Sequence, residues 1–457
     1  MAGLRERLVE LCGDGGVRQG DAVRTLDPGF HKDNLGADLA VFPDSTEALA
    51  AVVALCRKEK VAIVPQGGRT GIAGGAASRP DAVIVSTARL RRIVALDALA
   101  RTAIVEAGVT LAALQQAARA HGLWPGIDIG ARDSATIGGM ISTNAGGSEA
   151  FRHGTMRQRV LGLEAVLPDG SVLSDLTAVA KANEGYDVKQ LLIGSEGTLG
   201  IVAKAVLRLS AAVPARVAAL AGLASAEAAL AALDRLMRQP GLALNAAEAM
   251  WRDHVVVTAR ANGLDALADF ADTPLYILFE AGGSDEDAVR PAFEQALAEA
   301  VEADEIVDVV IAASEAQRAA MWRLREDWAV DRAYPGGLWF DISVPLGALD
   351  AYVETMTRRV RARDAGYRVF IIGHLADGNL HVTVNAATPI RDAYDQVAPL
   401  IYEGLKEIGG SFSAEHGIGL EKRAALARHG DPVKLRLMRE LKRLLDPDGL
   451  MNPGKVL

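Results

Sequence analysis

The chain has 457 residues, a formal net charge of −9 and 50% hydrophobic residues, enough for two or three domains with sizeable cores. No lysine–arginine block occurs, which argues against nucleic-acid binding because phosphate recognition needs a basic surface. Cys12 and Cys56 are too few for a disulfide framework, a four-cysteine zinc site or an iron–sulfur cluster. Neither a secretory signal nor an uncharged apolar run of about twenty residues is present, so we expect a cytoplasmic protein without a transmembrane segment.

The first half of the chain mixes helices and strands without regular alternation. Ser45 can cap a helix, and "VAIVP" from Val61, "AVIVS" and "TAIVEAGVT" are typical of strands. "TLAALQQAARAHG" predicts a helix, and "VLGLEAVLPDGSVL" predicts a hairpin turning at Pro168-Asp169-Gly170. This is an α+β pattern rather than that of a doubly wound sheet.

Three glycine-rich segments interrupt this half. They are "PQGGRTGIAGGA" (65–76), "DSATIGGMISTNAGG" (133–147) and "IGSEGTLGIV" (193–202). Glycine lets backbone N–H groups approach a phosphate closely, but neither dinucleotide template nor a P-loop fits these segments. Each alone could be a turn without a ligand. Together they predict a long ligand with phosphates at one end.

The second half contains "GHLADGNLHVTV" (373–384), which places two of the chain's eight histidines around an Asp-Gly pair. Because strand residues alternate faces, residues seven apart share a face only if the chain turns between them. Asp377-Gly378 is turn chemistry, so we expect strand, turn and strand, with His374 and His381 on the two arms. Two ordinary histidines flanking a hairpin remain the alternative.

Two further motifs add candidate groups. "SAEHGIG" supplies Glu415, which with His374 and His381 would make a three-ligand set typical of a catalytic metal site. In an extended stretch the adjacent His416 would point away from Glu415, where it could act as a base. "MWRLREDW" offers Arg323 and Arg325 for a carboxylate, although surface helix charge is the simpler interpretation of either.

The motifs "VPQGGRTG", "ATIGGMISTNAGG", "LGLEAVLPDG" and "GYDVKQLLIGSEGTLGIV" resemble the FAD-binding domain of the vanillyl-alcohol oxidase/p-cresol methylhydroxylase superfamily. "GHLADGNLHVTV", "SAEHGIGLEKR" and "LDPDGLMNPGK" resemble its D-2-hydroxyacid dehydrogenase branch, which includes D-2-hydroxyglutarate and D-lactate dehydrogenases and the glycolate oxidase D subunit. "TNAGG" and "NEGYDVKQL" are most similar to the D-2-hydroxyglutarate dehydrogenases of that branch.

The resemblance implies an α+β chain in four parts. We expect an N-terminal helical segment (1–35), a two-part FAD-binding domain of the p-cresol methylhydroxylase type (36–212) and a substrate domain with an antiparallel sheet (213–410). A C-terminal helical segment (411–457) should return to the flavin.

The resemblance also implies the cofactor contacts. Residues expected along FAD are Pro65, Gln66, Gly67, Gly68, Arg69, Thr70, Gly71, Thr136, Gly138, Gly139, Asn144, Gly146, Gly147, Glu196, Gly200, Ile201 and Asn452. Some members attach the flavin covalently through a histidine in the phosphate loop. Arg69 stands at that position here, so we expect non-covalent FAD.

For the active site, the resemblance implies that His374, His381 and Glu415 bind Zn²⁺ or Mn²⁺ and that His416 is the catalytic base. It selects Arg325 for the substrate carboxylate. D-2-hydroxyglutarate dehydrogenases typically carry a lysine and an asparagine where this chain has Trp339 and Thr383, and a threonine where it has Ala329. These substrate-side departures predict a weaker preference for a five-carbon dicarboxylate.

The expected activity is FAD- and metal-dependent oxidation of a D-2-hydroxy acid, with D-2-hydroxyglutarate as the first candidate substrate and D-lactate as an alternative. Electrons would pass to an external acceptor such as electron-transfer flavoprotein or a quinone. A flavin subunit of a larger complex and a non-catalytic FAD-fold protein are the other hypotheses, and the intact His374, His381, Glu415 and His416 set argues against the last. A homodimer is compatible with the sequence.

Overall fold

The structure, a computed structural model, describes residues 2–457 and divides them into two compact units. Unit 1 comprises residues 2–212 and 415–457, and unit 2 comprises residues 213–414. The chain therefore leaves unit 1, forms unit 2 and then rejoins unit 1.

The helices in chain order are α1 (Ala2–Cys12), α2 (Asp21–Arg24), α3 (Thr46–Lys58), α4 (Leu111–Arg119), α5 (Ile137–Thr143), α6 (Ala150–His153), α7 (Met156–Arg159), α8 (Lys189–Leu192), α9 (Ala226–Arg238), α10 (Arg252–Ala261), α11 (Asp265–Asp269), α12 (Glu286–Glu302), α13 (Glu315–Glu326), α14 (Ala329–Ala333), α15 (Leu349–Arg363), α16 (Tyr394–Tyr402), α17 (Arg423–His429) and α18 (Pro432–Leu445). Across residues 2–457, no helix combines the length and apolar character needed to cross a bilayer.

The strands are β1 (Val17–Gln19), β2 (Leu39–Val41), β3 (Ala62–Gln66), β4 (Ala82–Ser86), β5 (Ile93–Asp97), β6 (Thr102–Glu106), β7 (Leu123–Trp124), β8 (Val160–Val166), β9 (Val172–Asp175), β10 (Ile201–Arg208), β11 (Ser210–Ala211), β12 (Ala215–Leu223), β13 (Ala243–Trp251), β14 (Leu275–Gly283), β15 (Asp308–Ile311), β16 (Leu338–Ser343), β17 (Arg368–His374) and β18 (Asn379–Asn385).

Unit 1 contains two main sheets. The first has the order β1-β2-β4-β3, in which β2, β4 and β3 run parallel and β1 is antiparallel. The second has the order β5-β6-β10-β8-β9 and is antiparallel throughout. The α+β expectation for this half is thus confirmed, as are the predicted strands and the β8–β9 hairpin.

The N-terminal residues belong to unit 1 through its core. Leu4 and Leu8 of α1 are buried in the same apolar cluster as Leu49 and Val52 of α3. Helix α3 begins where predicted, because the Ser45 side chain accepts a hydrogen bond from the Ala48 N–H at 3.1 Å. Residues 2–35 therefore form no separate body.

Unit 2 is built on one antiparallel sheet with the order β15-β12-β14-β13-β17-β18-β16. Buried apolar residues of the sheet, including Leu220, Tyr276 and Leu278, share a core with Val255 of α10 and Leu324 of α13. This arrangement confirms the predicted substrate-domain architecture of helices on an antiparallel sheet.

Unit 2 continues to Ala414 rather than ending near residue 410. Ser343 and Ser411 exchange two backbone hydrogen bonds of 2.9 Å. The Ala414 N–H then donates to Oδ2 of Asp341 at 3.1 Å. Backbone and side-chain hydrogen bonds with the edge strand β16 therefore hold residues 411–414 on unit 2.

Candidate active site

The stretch "GHLADGNLHVTV" forms the strand–turn–strand that the sequence predicts. Strand β17 ends at His374, β18 begins at Asn379, and Gly378 adopts a left-handed φ of 73° in the turn. A side chain at Gly378 would also collide with the backbone oxygen of Val344, 2.1 Å from an added Cβ. His374 and His381 converge on one face, with ring centroids 5.4 Å apart and nearly perpendicular planes.

Strand register extends this polar face across four strands of unit 2. Glu248 of β13 pairs with His374 of β17, and Asp341 of β16 pairs with His381 of β18. Since residues two apart on a strand share a face, these four side chains form one polar row across the sheet. We call Glu248, His374, His381 and Asp341 the polar row.

Glu248 joins His374 to the substrate-arginine candidate. Its Oε1 lies 2.8 Å from His374 Nδ1, and its Oε2 accepts from Arg325 Nε at 2.7 Å. Burial alone would raise the pKa of the Glu248 carboxyl, but the charges and hydrogen bonds of His374 and Arg325 outweigh it and hold that pKa below its ordinary value. Of the two candidate arginines, Arg325 therefore lies at the polar row, whereas Arg323 is exposed.

Asp341 holds the opposite end of the row. Its Oδ1 accepts from Asn379 Nδ2 at 2.9 Å and lies 3.8 Å from His381 Nδ1. Its Oδ2 accepts a hydrogen bond from the N–H of Ala414. Ala414 is the last residue of unit 2 and directly precedes Glu415. The same carboxylate thus fixes the turn and the segment that leads to Glu415, and it lies near the second histidine.

Sequence reasoning missed both carboxylates of the polar row. Each is a single acid in an apolar strand, in "LNAAEAMW" and "LWFDISV", and each is almost completely buried. A lone buried carboxylate without a partner is unfavourable, so this pattern signals a nearby cation or metal. That signal identifies the residue but not its partner.

The other substrate-side candidates lie one step along the same strands. Trp339 pairs with Thr383, two residues before Asp341 and two after His381. Thr383 also pairs with Phe370 of β17. These three residues form an uncharged row beside the polar row on the same face.

Unit 1 contains a cleft of about 940 Å³, counting space open to solvent. Of the residues expected along FAD, those that line it are Pro65, Gln66, Gly67, Gly68, Arg69, Thr70, Gly71, Thr136, Gly138, Gly139, Glu196, Gly200 and Ile201. His416 lines the same cleft. Thr87 and Ile129 line it too and were missed, because both lie outside the three glycine-rich segments. Val202, the last residue of the third segment, was also missed.

The loop 67–71 approaches its neighbours so closely that side chains are excluded. An added Cβ at Gly68 would lie 1.8 Å from the Ser134 backbone oxygen, and one at Gly67 would lie 2.2 Å from Thr136 Oγ1. Within residues 2–457, the backbone N–H groups of 68–71 donate to no protein acceptor. Unpaired N–H groups of successive loop residues are suited to bind an anion, so the cleft fits a phosphate-bearing cofactor such as FAD.

The remaining expected cofactor residues support the cleft without lining it. Asn144 ends α5 with a left-handed φ of 55°, and its Oδ1 accepts from Thr155 and Arg157. Gly147, which follows Gly146, has a φ of 103°, and its Cβ would meet the Asp128 backbone oxygen. These residues shape the "TNAGG" turn.

Asn452 connects the C-terminal segment to the cleft. Its Nδ2 donates to the backbone oxygens of Gly75 and Glu196 at 3.0 and 2.8 Å. Because Gly75 and Glu196 both line the cleft, this amide ties two of its walls together.

Glu196 holds the segment that carries His416. Its two carboxylate oxygens accept the Ile418 and Gly419 N–H groups, each at 2.7 Å. Burial raises the pKa of the Glu196 carboxyl, and these two N–H groups oppose that rise. The clamp fixes the backbone two residues beyond His416, at the edge of the cleft.

The expectation that Glu415 and His416 point apart is wrong. The chain bends through residues 414–416 instead of running extended, and His416 Nε2 lies 3.6 Å from Glu415 Oε1. The alternation rule applies only to extended backbone, and the glycines that follow allow a bend.

Comparison with known proteins agrees with this arrangement. The family model "FAD binding domain" matches residues 37–175, and "FAD linked oxidases, C-terminal domain" matches residues 213–456. The solved structure of p-cresol methylhydroxylase with substrate bound is similar in fold, with a TM-score of 0.73 and 16% identity over 100% of this chain and 96% of that one.

Curated relatives are similar over most of their length. A probable mitochondrial D-2-hydroxyglutarate dehydrogenase of Oryza sativa subsp. japonica is 35% identical, covering 98% of this chain and 80% of the relative. A D-2-hydroxyglutarate dehydrogenase of Xanthomonas citri pv. viticola is 38% identical, covering 91% of this chain and 88% of the relative. The chain therefore belongs to the family of FAD-linked oxidoreductases that includes these relatives, and it is an FAD-dependent dehydrogenase.

Proposed function

We propose that this dehydrogenase oxidises a D-2-hydroxy acid to the 2-oxo acid in a metal-dependent reaction and passes the electrons to an external acceptor such as electron-transfer flavoprotein or a quinone. The polar row is the observation that carries the proposal. A fully buried glutamate that orients a histidine is typical of a metal site, because metal-binding histidines usually donate their other N–H to a carboxylate.

The residues present suit a divalent ion. His374 Nδ1 lies against Glu248, so Nε2 is the atom that His374 offers to an ion. His381 supplies a second imidazole on the same face. Glu415 is the third proposed ligand, since it follows Ala414, whose N–H is bonded to Asp341. Such an ion would lower the pKa of the substrate hydroxyl.

Two side chains have roles toward the substrate. Arg325, oriented by Glu248, binds the substrate carboxylate with parallel hydrogen bonds. His416 accepts the hydroxyl proton, because histidine is the commonest general base in enzymes and this ring lines the proposed flavin cleft. FAD supplies the acceptor for the hydride from the substrate carbon.

The test is flavin bleaching under anaerobic conditions with a panel of D- and L-2-hydroxy acids. We expect bleaching by D-acids only, its loss after treatment with a chelator, and its recovery with Zn²⁺ or Mn²⁺. The variant His121→Ala, which changes an exposed histidine of unit 1, is the matched control and should behave like the parent. Bleaching by no D-2-hydroxy acid, or full activity in a preparation shown by elemental analysis to be metal-free, would contradict the proposal.

A further inference from the structure

The uncharged row, which we also call the Trp339 row or the wall, lies on one side of the polar row. Along a strand, residues on one face are about 6.5 Å apart, so Trp339, Thr383 and Phe370 lie one step from Asp341 and His381. In the other direction the face ends at the turn.

On that turn side, the buried amide of Asn379 already donates to Asp341 Oδ1 and to the Ile342 backbone oxygen. Because this amide is buried and already hydrogen-bonded, it is not available to bind a polar group of the substrate. The tail of a substrate whose hydroxyl group lies at His381 is therefore directed toward the Trp339 row.

Trp339 is fixed in place as an aromatic wall. Its ring stacks on that of Trp328, with centroids 4.8 Å apart and planes inclined by 25°. Its indole N–H donates to Asp331 Oδ1 at 3.0 Å. Trp328 is 49% exposed, unusual for so large an apolar side chain. Stacking and the hydrogen bond together hold the Trp339 ring in one orientation.

The Trp339 row offers no cationic partner for a second carboxylate on the substrate. Phe370, Thr383 and Trp339 carry no charge, and the carboxylate that holds Trp339 is that of Asp331. A carboxylate placed there would lose water without gaining a cation, and it would lie near a like charge.

The arginines on this side of unit 2 are already engaged. Arg332 forms an ion pair with Asp327. Arg368 lies a further step along β17, with its guanidinium carbon 5.2 Å from the centroid of the Tyr334 ring. Both guanidinium groups therefore already have a partner that is not part of the Trp339 row.

We propose that the stacked pair of Trp339 and Trp328 makes this enzyme select D-2-hydroxy acids with an apolar, branched or aromatic tail over those with a second carboxylate. The proposal rests on the proposed function and names the substrate class for that site. An apolar tail gains contact area against the two rings, whereas a dicarboxylate loses hydration.

The first test compares kcat/KM for D-2-hydroxy-4-methylpentanoate and D-2-hydroxyglutarate, which have tails of similar length. We expect the apolar acid to be preferred by about tenfold or more, since one poorly solvated carboxylate has an effect of at least that order. A smaller preference, or preference for the dicarboxylate, overturns the inference. Calorimetric binding of the two matching 2-oxo acids gives a second readout and should show the same order.

Variants of Trp339 test whether the wall causes the preference for the apolar acid. Trp339→Lys should move the kcat/KM ratio toward D-2-hydroxyglutarate by about tenfold or more, because it supplies a cation in the uncharged row. Trp339→Phe, which keeps an aromatic ring, should keep the parent preference. Val307→Lys adds the same charge at an exposed position of unit 2 and is the matched control.

The outcomes separate the two claims. If no D-2-hydroxy acid bleaches the flavin, the proposed function fails, and the 2-oxo acid binding order still tests the wall. If D-acids bleach it but Trp339→Lys leaves the ratio unchanged, only the role of the wall fails. Where Trp339→Lys does not fold, Trp328→Ala takes its place and should reduce the apolar preference; an unreduced preference contradicts the inference.

Discussion

The Nδ1 atom of His374 lies 2.8 Å from Oε1 of Glu248, a residue 126 positions earlier in the chain. The other oxygen of the same carboxylate accepts from Arg325 at 2.7 Å. One buried charge therefore orients both a proposed metal ligand and the proposed carboxylate-binding arginine. This link makes Glu248 the residue whose replacement should alter metal binding and substrate binding together.

Replacing Glu248 with glutamine should weaken divalent-metal affinity by about tenfold to a hundredfold, because an amide orients and polarises the imidazole less well than a carboxylate. It should also raise KM, since Arg325 loses its charged partner. Metal affinity is measured by competition with a chelator of known affinity.

Glu280→Gln is the matched control for Glu248→Gln. Glu280 is equally buried in the adjacent strand β14 and binds Arg216, Arg318 and Trp322. Both variants should lose stability, but only Glu248→Gln should lose metal. Equal metal affinity in the two variants would show that Glu248 has a structural role alone.

Local signals in the sequence were sufficient for the hairpin that carries His374 and His381. Alternation of faces and the Asp-Gly turn act over a few residues, so both strands and the turn could be predicted. The helix at Ser45 and the β8–β9 hairpin were predictable for the same reason. In each case the structure depends on interactions within one short segment.

Long-range pairing explains what the sequence could not predict. Glu248 reaches His374 because β13 lies beside β17, although β14, β15 and β16 separate them along the chain. Hydrophobic periodicity predicts strands but not their order in a sheet, so neither Glu248 nor Asp341 could be assigned a partner. The bend at Glu415 was missed because the alternation rule was applied to backbone that is not extended.

Replacing His416 with alanine should leave a folded, yellow protein whose flavin is no longer reduced by substrate. The ring lines the cleft, but the backbone beyond it is held by Glu196, so loss of the imidazole removes a proton acceptor without releasing the segment. Stopped-flow bleaching measures the effect, with a decrease of about a hundredfold or more expected. A rate near that of the parent would assign the base to another group.

The flavin should be released completely by acid precipitation. Arg69, rather than a histidine, stands in the phosphate loop, and its Nε donates to the Asp27 backbone oxygen at 2.7 Å. Cys12 and Cys56 are buried outside the cleft lining, and burial raises both thiol pKa values. Yellow colour in the supernatant is the expected result, and colour that stays with the pellet would indicate a covalent bond.

His254 should make the protein less stable as the pH falls from 7 to 5. It is buried in α10, its Nε2 lies 2.9 Å from the Leu324 backbone oxygen, and burial lowers its pKa from 6.5 to about 4. The unfolded chain then binds a proton that the folded one excludes, so this contribution to stability is present above pH 6.5 and is lost as the pH falls toward 4. The loss by pH 5 is about 2 kcal/mol in the free energy of unfolding. His254→Gln retains an N–H donor but does not titrate, so urea unfolding at pH 7 and pH 5 should show a smaller decrease for the variant, whereas equal decreases would contradict the assignment.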